Sequence, residues 1–243
     1  MLHRTVLNRR VRQVACVSVL LALYPVPSGA KAQYGTEQGY KPEGKALNLF
    51  ERHKEEYIAT DTPAIVTVKP AKYLTVTGKG EPGGEVFRKK TGLLYGVAYG
   101  IKMKRQFSGQ NYEVCPLEGL WWGTKSKHGL MNEPKTTWNW KLLIRVPEYI
   151  TDEDLTAAVN QMGGRGGGTD VKEIKLETIR EGRCVQMLHV GPYDKEPANI
   201  AKMLAFAEKS GLKRNGVHHE IYLSDPNRVA PEKLRTILRQ PVK

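Results

Sequence analysis

Between residues 64 and 78 the chain reads AIVTVKPAKYLTVTG, β-branched and aromatic side chains interleaved with polar ones, and this pattern predicts a strand bent at Pro70. A glycine-rich turn follows at 78–84. Over 85–104, Leu94, Val97, Ala98 and Ile101 fall at the i, i+3, i+4, i+7 spacing of one helical stripe. Gly92, Gly96 and Gly100 recur along the same helix, each costing about 1 kcal/mol relative to alanine. Such a row marks either the close approach of a backbone or ligand, or chance spacing. Strands are predicted at 111–122 and 137–146, around a polar loop that holds Lys125, Lys127, His128 and Pro134. Thr151, with Asp154 three residues on, caps a short helix that the glycine-rich joint 163–168 ends.

The pattern then returns. Strands at 171–179 and 183–190 lead through Gly191-Pro192-Tyr193 into a helix over 195–210, which places Ile200, Met203, Leu204 and Ala207 on one stripe. Gly211 stops it, and strands at 217–223 and 234–239 follow. Leu142-Leu143-Ile144-Arg145-Val146-Pro147 and Thr236-Ile237-Leu238-Arg239-Gln240-Pro241 share an apolar–Arg–x–Pro ending, which supports a duplication. The predicted fold is α+β, two pseudo-symmetric β-α-β-β units with an antiparallel sheet and helices on one face. The domain is expected over 63–243, with halves 63–162 and 171–243.

The amino-terminal segment has a different character. Arg4, Arg9, Arg10 and Arg12 precede or open an eleven-residue apolar run at 14–24, then Pro25, Pro27 and Gly29 lead to Ala30-Lys31-Ala32. This is the layout of a secretory signal peptide, 1–32, cleaved after Ala32, and the run is too short for a bilayer core of about 30 Å. Secretion or periplasmic export with no stable membrane insertion is the expectation, the alternatives being an uncleaved anchor or a cytoplasmic protein with an over-long start. Residues 33–62 read as a flexible lead-in with room for a short helix. Export would leave Cys115 and Cys184 in a compartment where a disulfide could persist, although two free buried thiols is the preferred reading.

Charge changes the picture once the leader is set aside. The 243 residues carry 38 basic and 25 acidic side chains, a formal +13, and five of the basic ones lie in the acid-free first 32 residues. The remaining 33 against 25 give +8, spread along the sequence. No dense basic stripe is present, so nucleic acid is not an expected partner.

Glu220 lies within the apolar strand VHHEIYL, where a carboxylate is costly unless paired, protonated or assigned to a ligand. Alternation groups His218, Glu220 and Tyr222 on one face and His219, Ile221 and Leu223 on the other, and the apolar set is expected to meet the helices. In the first half the same parity groups Tyr112, Val114, Glu118, Leu120 and Trp122, provided no bulge intervenes. Trp121, Trp122, Trp138 and Trp140 crowd the same region. Acids amid such rings suit a lipophilic cation or a planar aromatic ligand. The alternative is a tryptophan core with Glu220 as a hydrogen-bonded structural acid. No His-x-x-x-His or Cys-x-x-Cys spacing and no Gly-x-Ser-x-Gly elbow occurs, so neither metal, cofactor nor serine-nucleophile chemistry is expected. The 163–168 glycines lack the lysine and serine of a phosphate loop, and His189 reads as a turn-stabilising side chain.

Four segments carry a resemblance: Pro116-Leu117-Glu118-Gly119-Leu120-Trp121-Trp122, Leu94-Tyr95-Gly96-Val97-Ala98-Tyr99, His189-Val190-Gly191-Pro192-Tyr193 and 219–226, HEIYLSDP. From about residue 47 to 243 the chain resembles the GyrI-like small-molecule-binding family, related to the effector domains of multidrug-sensing regulators. The resemblance implies a ligand groove at the junction of the halves with Glu220 at its centre. Glu220 and Glu118 are then the candidate catalytic groups, and Tyr112, Trp121, Trp122, Trp140, Tyr95, Tyr99, His218 and Tyr222 the candidate ligand-binding ones. The implied function is binding of amphipathic aromatic or cationic molecules for sequestration or detoxification. Two alternatives stand beside it. Some similar members hydrolyse cyclopropane-bearing natural products, which would make Glu220 the base and Glu118 the acid, and others act as protein-interaction modules. A secretory leader is unusual for such a family. The chain has no room for a helix-turn-helix domain, so a transcription regulator is not expected.

Overall fold

The computed structural model describes residues 45–128, 130–164 and 168–243. The leader expected at 1–32, the first part of the lead-in and the centre of the glycine joint lie outside them. No described helix is long and apolar enough to cross a membrane.

Two four-residue helices, α1 (Leu49–Arg52) and α2 (Lys54–Tyr57), precede the sheet. The first unit continues with β1 (Ala64–Val68), β2 (Ala71–Lys79), α3 (Glu85–Phe107), β3 (Leu117–Trp122) and β4 (Asn139–Arg145), followed by α4 (Asp152–Met162). The second contains β5 (Lys175–Ile179), β6 (Gly182–Val190), α5 (Glu196–Lys209), β7 (His218–Tyr222) and β8 (Arg235–Pro241). All eight strands join one sheet in the order β1-β6-β8-β7-β3-β4-β2-β5, with every pairing antiparallel.

The single bent strand expected over 64–78 is therefore two strands. Pro70 offers no N–H to a ladder, and the break sends β1 to the second unit, against β6, while β2 stays with β4. In return β5 crosses to the first unit and pairs with β2. Each unit is thus β-β-α-β-β with its first strand exchanged. This exchange dictates curvature. β1 and β2 lie six strand positions apart, as do β5 and β6, yet two residues join each pair. Six steps of a flat sheet span about 29 Å, whereas such a link reaches about 11 Å. The sheet must curl into a half-barrel.

Helices α3 and α5 pack on the outer face of the curl. Leu74, Val76, Leu94, Val97, Ile101, Trp140, Leu142 and Ile144 belong to the core beneath α3, and Val185, Met187, Ile200, Met203 and Leu238 to the core beneath α5. The glycine row on α3 serves helix packing, since Gly96 lies against Met162 and Gly100 against Ala158 of α4. Thr151 N–H donates to Asp154 Oδ2 at 3.0 Å, as the capping pattern predicts. His189 bridges Pro192 O (3.1 Å) and Asn199 (2.9 Å) and stabilises the turn into α5.

The inner face holds buried ionic groups. His219 lies between Glu118 (Nε2, 3.0 Å) and Glu181 (Nδ1, 3.0 Å), Arg239 binds Glu181 (3.0 Å), and Arg145 binds Glu56 (2.7 Å). Residues 45–62, expected to be a flexible lead-in, supply part of this network. Leu49, Glu56 and Tyr57 are buried, Gln186 donates to Ile58 O at 2.9 Å, and Leu188 N–H donates to Thr60 O at 2.6 Å. A charged, irregular sequence hid them because their partners, Arg145, Gln186 and the β6 backbone among them, lie far along the chain. Cys115 and Cys184 are free and buried.

Candidate functional site

The cleft between α3 and α5 lies over the central strands β3 and β7, at the pseudo-twofold axis, and encloses about 870 Å³. Tyr95 and Tyr99, one turn apart on α3 with ring centroids 6.3 Å apart, form one wall, and Glu196 and Ile200 of α5 contribute to the other. Trp121, Glu220 and Tyr222 rise from the strands. Trp138 stands edge-on to Trp121, centroids 6.0 Å apart, and its indole N–H donates to Glu133 O at 3.0 Å.

The β3–β7 register explains how an acid reaches this place. Gly119 is directly opposite Glu220, so the two share a face, and the missing side chain leaves room for the Trp121 indole and the Tyr222 hydroxyl. A Cβ at Gly119 would lie 2.7 Å from Trp121 Nε1 and 3.1 Å from Tyr222 Oη. In that space a directed relay runs: Trp121 Nε1–H donates to Tyr222 Oη at 3.2 Å, and Tyr222 O–H donates to Glu220 Oε2 at 2.7 Å. Burial and then the adjacent Glu220 push the Tyr222 phenol well above its ordinary range, so it acts as a neutral donor. His218 Nε2 lies 3.4 Å from Glu220 Oε1.

Glu196, the first residue of α5, faces the same carboxyl. Burial, reinforced by the neighbouring Glu220 charge, raises its pKa well above the carboxylate range. Both residues are buried. The arrangement is a pair of buried carboxyls enclosed by aromatic rings, with Glu196 pushed toward its protonated form. Cys115 also lines the cleft, but burial and then Glu118 push its thiol up to about 12, which leaves it a poor nucleophile.

Of the residues singled out from sequence, Glu220, Trp121, Tyr95, Tyr99 and Tyr222 line the cleft. Glu118 does not. It pairs with Ile221, one step out of phase with Glu220, so its carboxyl points to the inner face, where it accepts from Tyr57 Oη at 3.3 Å and meets His219. The expected faces are reversed accordingly: the Glu220 face is the helix face, and His219 and Ile221 point inward. Trp122 shares Glu118's parity and also lies off the cleft. Trp140 is fully buried across from Gly78, its N–H on Gly80 O at 3.2 Å. Tyr112 is a core residue packed edge-on to Tyr149, centroids 6.4 Å apart. His218 sits beside Glu220 without lining the cleft. Glu196, Trp138, Glu133 and Lys135 line it and were not singled out as site residues. Glu-Pro at a helix start reads as ordinary dipole compensation, so nothing local marks Glu196. The joint between the units carries no phosphate cradle among its described residues, and these do not line the cleft.

The profile described as a GyrI-like small molecule binding domain matches residues 61–243. The chain belongs to the GyrI-like family. A crystal structure of an uncharacterized conserved protein from Listeria innocua is 37% identical to this chain, with TM-score 0.75, and covers 81% of this chain and 100% of its own. A crystal structure of a hydrolase from Listeria innocua is 35% identical, with TM-score 0.71 and the same coverage of 81% and 100%. The EcmrR C-terminal domain, 13% identical with TM-score 0.50 over 75% of this chain and 97% of its own, shares the GyrI-like fold. No curated protein is found that matches the chain.

Proposed function

We propose that this GyrI-like domain takes a lipophilic, multi-ring molecule into the cleft and hydrolyses an electrophilic three-membered ring on it. The observation that carries the reading is the Glu196–Glu220 pair, one carboxyl poised to give a proton and the other to take one. Glu220, fixed by Tyr222, removes a proton from a water whose oxygen attacks the ring carbon. The ring C–C bond breaks, and its electron pair passes into the conjugated carbonyl, whose oxygen takes the proton of Glu196. The product is the ring-opened alcohol. Proton exchange between the two carboxyls, or with solvent, restores the starting state. Glu196 replaces Glu118 as the acid in this scheme. The hydrolase of 35% identity from Listeria innocua supports it, and a cleft of about 870 Å³ suits a polycyclic substrate. Incubation with a cyclopropane-activated alkylating compound, followed by mass analysis, tests it: a product heavier by one water is expected, and unchanged substrate defeats the proposal.

A second reading, sequestration of lipophilic cations, is favoured by the lining, in which, among the described residues, Glu133, Asp194, Glu196, Glu220 and Asp225 outnumber the basic Lys135 and Arg228. Quenching of tryptophan fluorescence without turnover selects it. We also propose that the leader exports the domain, so that detoxification takes place outside the cytoplasm. Sequencing from the amino terminus in the native host is expected to begin at Gln33, and an intact Met1 refutes export by a cleaved leader.

A further inference from the structure

Two buried carboxyls that face each other leave an open question for any ligand: whether it meets one negative charge or two. We infer that Glu196 and Glu220 hold one proton between them and that this proton selects the ligand. A neutral molecule bearing a hydrogen-bond acceptor binds with the proton retained, and a cation binds by expelling it to solvent. The inference rests on the reading of the cleft as the ligand site and is independent of hydrolysis.

The geometry around the pair supports the exchange. Tyr222 is committed, its hydroxyl given to Glu220 Oε2 at 2.7 Å and its oxygen accepting from Trp121 at 3.2 Å, so it neither competes for Glu196 nor supplies its proton. Glu196 adjoins both Glu220 and Thr236 of β8, yet its Oε1 and the Thr236 Oγ1 are buried with no well-formed hydrogen bond among the described residues. An acceptor atom from a ligand would complete the protonated Glu196, and a cation seated against both carboxyls would need neither donor. The other charged or titratable groups around the pair include His218 on β7, Asp194 and Tyr193 before α5, Glu133 and Lys135 in the β3–β4 connection, Asp225 and Arg228 after β7, and Tyr95, Tyr99 and Cys115 across the cleft. Lys135 acts on Glu196 in the direction that favours the ionised form. His218 Nε2, 3.4 Å from Glu220 Oε1, is the imidazole whose part in the exchange the test must separate from that of Glu196.

Two compact aromatic probes separate the cases: tetraphenylarsonium, a permanent cation with no proton to give, and triphenylphosphine oxide, a neutral strong acceptor. Calorimetric titration of the whole protein at pH 7 in phosphate and in Tris reads protons released per ligand bound. Release approaching one proton is expected with the arsonium and none with the phosphine oxide, and arsonium affinity should rise with pH, by up to tenfold per unit while Glu196 stays protonated. In Glu196→Gln, which keeps a neutral donor in place, the arsonium should bind with no proton release and with no such pH dependence, and phosphine oxide binding should persist. His218→Gln should leave the release unchanged. Arsonium binding without proton release in the unaltered protein overturns the inference, as does release that survives in Glu196→Gln and vanishes in His218→Gln. Failure of both probes to bind at millimolar concentration refutes instead the reading of the cleft as a ligand site, and the inference with it.

Discussion

A single step of register separates the fates of Glu118 and Glu220. Each is an acid in an apolar strand of matching position, and the chemistry that makes such an acid conspicuous is readable from sequence. The face it occupies is not, because that depends on which residue lies opposite across β3 and β7, and the ladder sets Gly119, not Glu118, against Glu220. The two acids should therefore respond differently to the same substitution. Glu220→Gln keeps the volume and the Tyr222 hydrogen bond, so the melting temperature should hold while turnover falls at least tenfold, about 1.4 kcal/mol. Glu118→Gln leaves buried His219 with one carboxylate fewer, and breaking such a pair costs about 3–5 kcal/mol. Denaturant melts of both variants, read beside turnover, check the assignment. Equal stability of the two would contradict it. Glu196 could be found only by folding the chain, since a glutamate before a proline at a helix start has an adequate local explanation.

Among the elements, the alternating and helical patterns correctly located the principal strands and both large helices, because each buries one face and shows it in sequence. What they could not show was the fate of β1 and β5, short strands whose partners lie a hundred or more residues away. The same long-range pairing gives Gly119 and Gly78 their purpose. Trp140 lies across from Gly78 so closely that a Cβ there would come within 2.1 Å of its ring, which is why this indole belongs to the core. On β3 the space above Gly119 holds the relay from Trp121 to Glu220. Gly119→Ala should push the indole and phenol apart at an overpacking cost of about 1–3 kcal/mol. Loss of the relay should lower turnover or ligand affinity, and Tyr222→Phe, which removes the relay's central hydroxyl but keeps the packing, should lower it likewise. Retained activity in Gly119→Ala, measured on protein shown to be folded by its melt, would show that the relay is dispensable.

At the scale of the whole molecule, the curl of the sheet is closed by charge as well as by apolar packing. Glu56 from α2, Glu118 from β3 and Glu181 from the β5–β6 turn meet Arg145, His219 and Arg239 from β4, β7 and β8, so three acids face three cationic groups across the inner face. Burial alone would lower the His219 pKa, but Glu181 and then Glu118 outweigh it and raise it to about 9. Burial alone would raise Glu181, but His219 and Arg239 bring it down to about 2. The signs fix the dependence of stability on pH. His219, raised from an ordinary 6.5, contributes fully below about pH 6.5 and loses its contribution as pH rises through about 9. Glu181, lowered from 4.5, contributes fully above about pH 4.5 and loses its contribution as pH falls through about 2. These two groups together predict a plateau between about pH 4.5 and 6.5, a decline on the alkaline side near pH 9 and another in strong acid. His219→Gln should lower the plateau and flatten the alkaline decline, since the titrating group is then gone. Melts from pH 5 to 10 on both proteins check this, and an alkaline decline that persists undiminished in the variant would place its origin elsewhere than in the charge between Glu118 and Glu181.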